Sequence, residues 1–333
     1  MKFLNDFKEI FIFLPNVWFG TPVSWYRRLN IRPLYHHQSY YKHGNWYNQY
    51  FPGKESKINY YKEKRSLGEN TIAHWLQHIF FRCIDPLLGE NKYWLTVGDA
   101  YGFDAQYIES RGSMAMATDL NVDFLVVAQE EEIIARYKAE NAEQLSFPDE
   151  HFDYVLCKES YHHFPRPYAA LYEMIRVAKK GIVIIEPQDP VTKMPMLLWL
   201  FNLFKAKPKL LNSIWKNRFS YEPVGNFVYK VSEREFEKFA AGLNLPVLAF
   251  KRINPNFYFK GAEVLNQKKY SGSFMKIKVK KAIMDILLKC RLIPGQVLCT
   301  VVFKTIPEKG ILQQMKAEGY HFVYIPENPY ATL

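Results

Sequence analysis

The stretch Tyr93-Trp94-Leu95-Thr96-Val97-Gly98-Asp99-Ala100-Tyr101-Gly102-Phe103-Asp104 decides the fold. Its first five residues read as a buried strand, and Gly98 and Gly102 then permit a tight turn into a helix. An isolated acid, Asp119, closes the next apolar run, Ala115–Asp119. Such a turn lets backbone approach a ligand closely, and a carboxylate ending the neighbouring strand can accept both hydroxyls of a ribose. Together they outline a site for an adenosyl cofactor. Taken alone, the turn is equally a plain strand-to-helix connection, because the third glycine of a dinucleotide fingerprint is missing.

Outward from this turn, apolar runs alternate with helical periodicity, which predicts a parallel sheet covered on both faces. Strands are expected near Tyr93–Val97, Ala115–Asp119, Tyr154–Cys157 and Ile182–Glu186, with another around Arg136–Ala139. The helix Tyr168–Val177 places Tyr168, Leu171, Tyr172 and Ile175 on one stripe, and Arg176, Lys179 and Lys180 close it before Gly181. Ligands bind at the carboxyl ends of such strands, where Gly98, Asp119, Lys158 and Glu186 fall. Upstream, a helix through Ile72, Trp75, Leu76, Ile79 and Phe80 is expected to pack under the first strand. Downstream, Ser232-Glu233-Arg234-Glu235 is a capping box opening a helix over Phe236–Leu243. A strand near Val247–Arg252, a basic helix Met275–Lys289 and a strand Val297–Thr305 follow.

Four motifs lie in register: the turn and Asp119; Ala142-Glu143-Gln144-Leu145-Ser146-Phe147-Pro148-Asp149 with Phe152-Asp153; Tyr161-His162-His163-Phe164; and Arg176-Val177-Ala178-Lys179-Lys180-Gly181 leading into Ile182–Pro187. In order and spacing the series resembles the class I S-adenosylmethionine-dependent methyltransferases, in particular the type 11 small-molecule branch, over about Leu95 to Pro187. The resemblance implies a Rossmann-like seven-stranded sheet with helices on both faces, ending in an antiparallel pair. It implies S-adenosyl-L-methionine as cofactor, with Gly98, Asp99 and Gly102 at its methionine and ribose end. Asp119 and Leu120 would then meet the ribose, Asn141 and Ala142 the adenine, and Lys158 and Glu159 the methionine moiety. Thr96 stands where the family usually has an acid, Ala100 where it has a third glycine, and Asn141 where it has Asp. Asp99 is a candidate for the displaced acid, and an Asn amide can still hydrogen-bond the adenine amino group.

His162 and His163 follow the fourth strand, where the family's active-site loop faces the methyl group, and imidazole is suited to take a proton from an acceptor hydroxyl. His162 is the first choice of base, because Phe164 threatens to bury His163. Packing and adenine contact are the alternative roles of the pair. Glu186, Gln188 and Asp189 end the fifth strand and either orient acceptor hydroxyls or solvate a loop. The leading function is methyl transfer to an oxygen of a small molecule or glycan. A methyltransferase-like binding protein with weak catalysis and a nicotinamide-dependent oxidoreductase are the alternatives. The histidine pair and the Phe-Pro-Asp segment have no role in the last of these.

At 333 residues and 48% apolar content, the chain can bury a large core with additions around one catalytic domain. The reading divides it into an aromatic-rich N-terminal extension (1–91), a methyltransferase domain (92–306) and a C-terminal tail (307–333). Within the domain, 190–222 is an inserted lid or substrate segment. Its apolar residues from Met194 to Phe204 and the lysines that follow make 194–219 either a helical cover for the acceptor or a peripheral membrane contact, with core packing as the plain alternative. Tyr, His and Trp clusters in the extension suit a sugar or planar ligand, or else pack an irregular extension on the core. The formal charge of +11 is dispersed and accompanies no nucleic-acid motif, so no nucleic acid is expected. Four cysteines without metal spacing, the absence of a signal-type N-terminus and no run of about 20 apolar residues predict a cytoplasmic protein without a bound metal.

Overall fold

The apolar runs become strands β1 (Tyr93–Val97), β2 (Met114–Asp119), β3 (Tyr137–Ala139), β4 (Phe152–Lys158), β5 (Ala178–Pro187), β6 (Val247–Ile253), β7 (Val297–Phe303) and β8 (His321–Tyr324). The structure, a computed structural model, describes residues 36–67, 70–189, 226–262 and 272–330 together with Leu203, Tyr221 and Leu265. One sheet runs in the order β3-β2-β1-β4-β5-β7-β6-β8. Strands β1 to β5 pair in parallel. Strand β7 is antiparallel to β5, β6 to β7, and β8 to β6. The expected seven strands are present, and β8 adds an eighth at the edge, inside the segment read as a tail. It gave little signal because it is four residues long and half exposed.

Alternation decides which face each side chain serves. Trp94, Tyr154, Leu156, Val183 and Ile185 enter one core layer, whereas Leu95, Val97, Val155, Cys157, Ile182 and Ile184 enter the other. Helices α1 (His36–Tyr50), α2 (Gly53–Leu67), α4 (Phe103–Ser110), α5 (Asp123–Glu130) and α9 (Lys309–Ala317) contribute to the first layer. Helices α6 (Pro167–Val177) and α7 (Glu233–Gly242) cover the second. The capping box of α7 forms as read, with Ser232 and Glu235 exchanging side-chain and backbone bonds.

Helix α3 (Ile72–Phe81) departs from expectation. Its last turn alone reaches the main core, with Phe80 buried there and Ile79 and Phe81 packed against it. Ile72 and Leu76 instead meet Phe257, Ala262 and Phe274, the last from helix α8 (Gly272–Lys289). The 3.6-residue stripe was correct, but its partner lies far along the chain and leaves no local trace. The segment expected as a lid, 190–222 with its membrane-contact candidate at 194–219, lies outside the described residues apart from Leu203 and Tyr221.

Strand β5 carries both halves of the sheet, and it needs a residue without a side chain at Gly181. A Cβ there would stand 2.4 Å from the Val302 carbonyl oxygen and 3.2 Å from Phe303 Cα of β7. Backbone on a central strand cannot yield as a side chain can. Gly181→Ala is expected to lower unfolding free energy by about 1–3 kcal/mol. Chemical denaturation tests this, and wild-type stability in the variant would show that β5 and β7 separate at little cost.

Candidate active site

A cleft of about 1370 Å³ opens at the carboxyl ends of the parallel strands, between helices α1 and α3 and the loops after β1, β2 and β4. Gly98, Asp99, Asp119, Leu120, Asn141, Ala142, Lys158 and His163 border it. Gly102 and His162, also expected in the site, do not.

Gly98 and Gly102 have φ of +73° and +74°, so both positions favour glycine. What each avoids is protein. A Cβ on Gly98 would meet the Ser160 side chain at 2.5 Å, and one on Gly102 would meet Ile134 at 3.0 Å. The second glycine therefore packs at the start of α4 and does not border the cleft. Asp99, the candidate for the displaced acid, accepts three hydrogen bonds. Thr96 Oγ1 donates to Asp99 Oδ2 at 2.9 Å, and the α4 backbone N–H groups of Ala105 and Asp104 donate at 2.9 and 3.3 Å. Its carboxylate thus fastens the turn to the helix.

Asp119 stands at the tip of β2, buried to 5% exposure. Asn121 N donates to its Oδ1 at 2.9 Å, and His43 Nε2 of α1 lies 3.7 Å from the same atom. Its Oδ2 has no partner among the described residues. Asn141 Oδ1 accepts from Glu143 N at 3.0 Å and so shapes the turn that presents Ala142. Beside it, Glu143 accepts from Arg166 N at 2.8 Å and also binds the Arg166 guanidinium and the Tyr40 hydroxyl. Tyr40, His43 and Tyr47 put α1 on the cleft wall. The aromatic and imidazole pattern of 35–50 was the signal for this, although it fits a packed extension equally well.

A cluster of buried charge underlies the loop after β4. Lys158 Nζ pairs with Asp104 Oδ1 at 3.0 Å and lies 5.3 Å from the Phe81 ring centre. Burial and the neighbouring Asp104 push the Asp99 carboxyl up to about 7. Burial and the nearby Glu186 push Glu159 up to about 7 as well, against the pull of Lys158. Glu159 holds left-handed backbone at φ 54°, borders the cleft and leaves Oε1 buried without a hydrogen-bond partner among the described residues.

The histidines separate by role. His162 Nδ1 bonds the fully buried Glu186 Oε2, which turns this ring away from the cleft. His163 borders the cleft, and its ring centre lies 4.2 Å from that of His162. His163, and not the expected His162, is thus the histidine at the cleft wall, because Glu186 holds His162 while Phe164 leaves His163 at the wall. Glu186 itself orients protein groups, accepting from Ser160 N and Tyr161 N at 2.8 and 2.7 Å.

The raised carboxyls fix a pH dependence. Asp99 and Glu159 keep protons in the fold that the unfolded chain releases near the ordinary values of 3.8 and 4.5. Their contribution to stability is full below those values and is lost as pH rises through about 7. Stability is expected to fall across that window, by an amount on the order of a few kcal/mol from the pair. Asp99→Asn and Glu159→Gln should each flatten the fall. Thermal melts across the window check it, and a profile unchanged in both variants would mean that neither carboxyl holds its proton in the fold.

A family model described as Methyltransferase domain matches residues 95–185, from β1 into β5. The ubiquinone/menaquinone biosynthesis C-methyltransferases UbiE of Shewanella pealeana and Shewanella halifaxensis are 29% and 30% identical to the chain over 133 residues. These alignments take in 38% of this chain and 53% of each relative, so the chain spans about half the length of the curated relatives it matches. Among solved structures, a SAM-dependent methyltransferase from Archaeoglobus fulgidus is similar at 15% identity and TM-score 0.44, covering 70% of this chain and 94% of that one. The matched span holds the turn, Asp119, the Phe147-Pro148-Asp149 segment and the histidine pair, and the sheet order is read directly from the chain. Residues 95–185 thus form a methyltransferase domain.

Proposed function

We propose that the protein transfers a methyl group from S-adenosylmethionine to an oxygen of a small molecule or glycan. The observation that carries this reading is one cleft bordered by the Gly98 turn, by Asp119 and by His163. Its volume of about 1370 Å³ exceeds the roughly 300–1,000 Å³ of common ligand sites, which leaves room for cofactor and acceptor together. The residues suit this cofactor. Asp119 has an oxygen to offer ribose hydroxyls, and Glu159 is an acid that gains from a cationic or donating neighbour.

When bound, S-adenosylmethionine supplies an electrophilic methyl group on a sulfonium. The chain's part is alignment, exclusion of water and removal of the acceptor's proton. Asp119 and Leu120 hold the ribose, Asn141 and Ala142 the adenine, and the backbone at Gly98 the methionine end. His163 takes the proton from the acceptor hydroxyl. His162, anchored on Glu186, holds the neighbouring ring in place. A carbon acceptor is the second reading, favoured by the C-methyltransferase names of the curated relatives. There, removal of a proton from a hydroxyl beside the accepting carbon would fall to the same base. The site of the new methyl group in the isolated product separates the two.

Asp119→Ala is expected to weaken S-adenosylhomocysteine binding at least tenfold, since each charge-assisted bond to a ribose hydroxyl contributes roughly 1.5–3 kcal/mol. Calorimetry decides it, and unchanged affinity, or tighter binding of a nicotinamide dinucleotide, would remove the cofactor assignment.

His163→Ala should lower turnover by about a hundredfold or more while S-adenosylhomocysteine affinity stays near wild type. His162→Ala, acting through its neighbour, should cost less. Wild-type rates and pH profile in the His163 variant would return the pair to a structural role.

A further inference from the structure

Helix α8 carries a surface that neither the sheet nor the cleft uses. Its buried side meets α3, where Phe274 packs edge-on against Trp75 at 5.3 Å beside Ile277 and Met284. The opposite side exposes Met275 (44%), Val279 (53%), Ile283 (52%) and Ile286 (61%), and exposed Cys290 continues the line. At 100° per residue these five fall within roughly 80° of arc, a continuous apolar stripe. Exposed Lys276 and Lys280 border one edge, and exposed Lys278 and Lys289 the other. None of the four lysines has an ion-pair partner among the described residues.

We propose that this face of α8 docks the protein on an anionic lipid surface. The charge pattern selects that occupant. A second copy of the chain would bring its own lysines against these, and a nucleic acid would leave the stripe in water. A bilayer interface takes both halves, since apolar side chains enter the boundary of headgroups and acyl chains while lysines reach anionic headgroups. The contact is peripheral, because no helix among the described residues is long and apolar enough to cross a membrane. Helix α3 connects the surface to the cleft. Ile72 and Leu76 hold α8, whereas Ala73, His74 and Gln77 border the cleft. Docking therefore sets the cleft's outer wall beside the lipid.

The full chain provides its own probe, because Cys290 lies on the stripe while Cys83, Cys157 and Cys299 are buried. An environment-sensitive fluorophore on Cys290 should shift to the blue with phosphatidylcholine vesicles containing phosphatidylglycerol, and not with phosphatidylcholine alone. Co-sedimentation should follow the same pattern and weaken with salt. Ile283→Glu with Ile286→Glu should reduce partition at least tenfold, and Lys276→Gln, Lys278→Gln and Lys280→Gln about fivefold each. Unchanged melting temperatures establish that these surface variants fold. No binding of the wild type to phosphatidylglycerol vesicles overturns the proposal, as does binding that both sets of variants leave intact. A concentration-dependent dimer abolished by the isoleucine changes, without vesicle binding, overturns it too and gives the face to a second copy.

Discussion

The carboxylate of Glu186 holds the site together. It is fully buried at the end of β5 and receives Ser160 N, Tyr161 N and His162 Nδ1. A buried carboxylate is tolerated only when such charge-assisted bonds replace water. Here they draw the loop after β4 over the ends of β4 and β5. Ser160 is thereby placed against β1, where its hydroxyl donates to the Val97 carbonyl at 3.0 Å. That approach leaves no room for a Cβ at Gly98. The glycine after β1 and the acid of the fifth strand are thus two ends of one constraint, and His163 reaches the cleft as its consequence.

Below this loop, Asp99, Asp104 and Glu159 share a buried region with Lys158. Three acids and one cation would be a costly set if all were ionised. Burial resolves the imbalance by raising all three carboxyls, two of them to about 7. Near neutral pH the two acids held near 7 are responsive, because an approaching cation favours their ionised forms. The replacement of the usual acid by Thr96 fits this economy. Thr96 donates to Asp99 and brings no further charge, while Asp99 itself fastens the turn to α4.

The sheet and the turn after β1 were legible because local rules govern them. Apolar runs of strand length, a glycine turn at positive φ and the capping box at Ser232 each leave a mark within a few residues. The Phe147-Pro148-Asp149 segment and Arg176, read as separate motifs, turn out to be one contact. Arg176 donates to the Phe147 and Leu145 carbonyls and pairs with Asp149. What escaped the sequence depends on long separations. Glu186 claiming His162, α3 meeting α8, and Tyr40 reaching Glu143 across 103 positions have no local period or spacing. Strand β8 escaped for a different reason, since a short, half-exposed edge strand has neither length nor alternation to show.

Helix α1 is attached through groups at the ends of β2 and β3. Tyr47 gives it an apolar anchor against Tyr101 and Phe124. Trp46 packs against the same core, and polar ties join them: Tyr40 to Glu143, His43 beside Asp119, and the Gly44 carbonyl accepting from Asn121 at 3.3 Å. Asp119 and Asn121 follow directly from β2, and Glu143 from the turn of Asn141. Any ligand that engages Asp119 must therefore share it with His43, 3.7 Å away. Occupation of the cleft at Asp119 and the placement of α1 are coupled through one carboxylate, so a ligand there acts on the cleft wall as well as on the cleft floor.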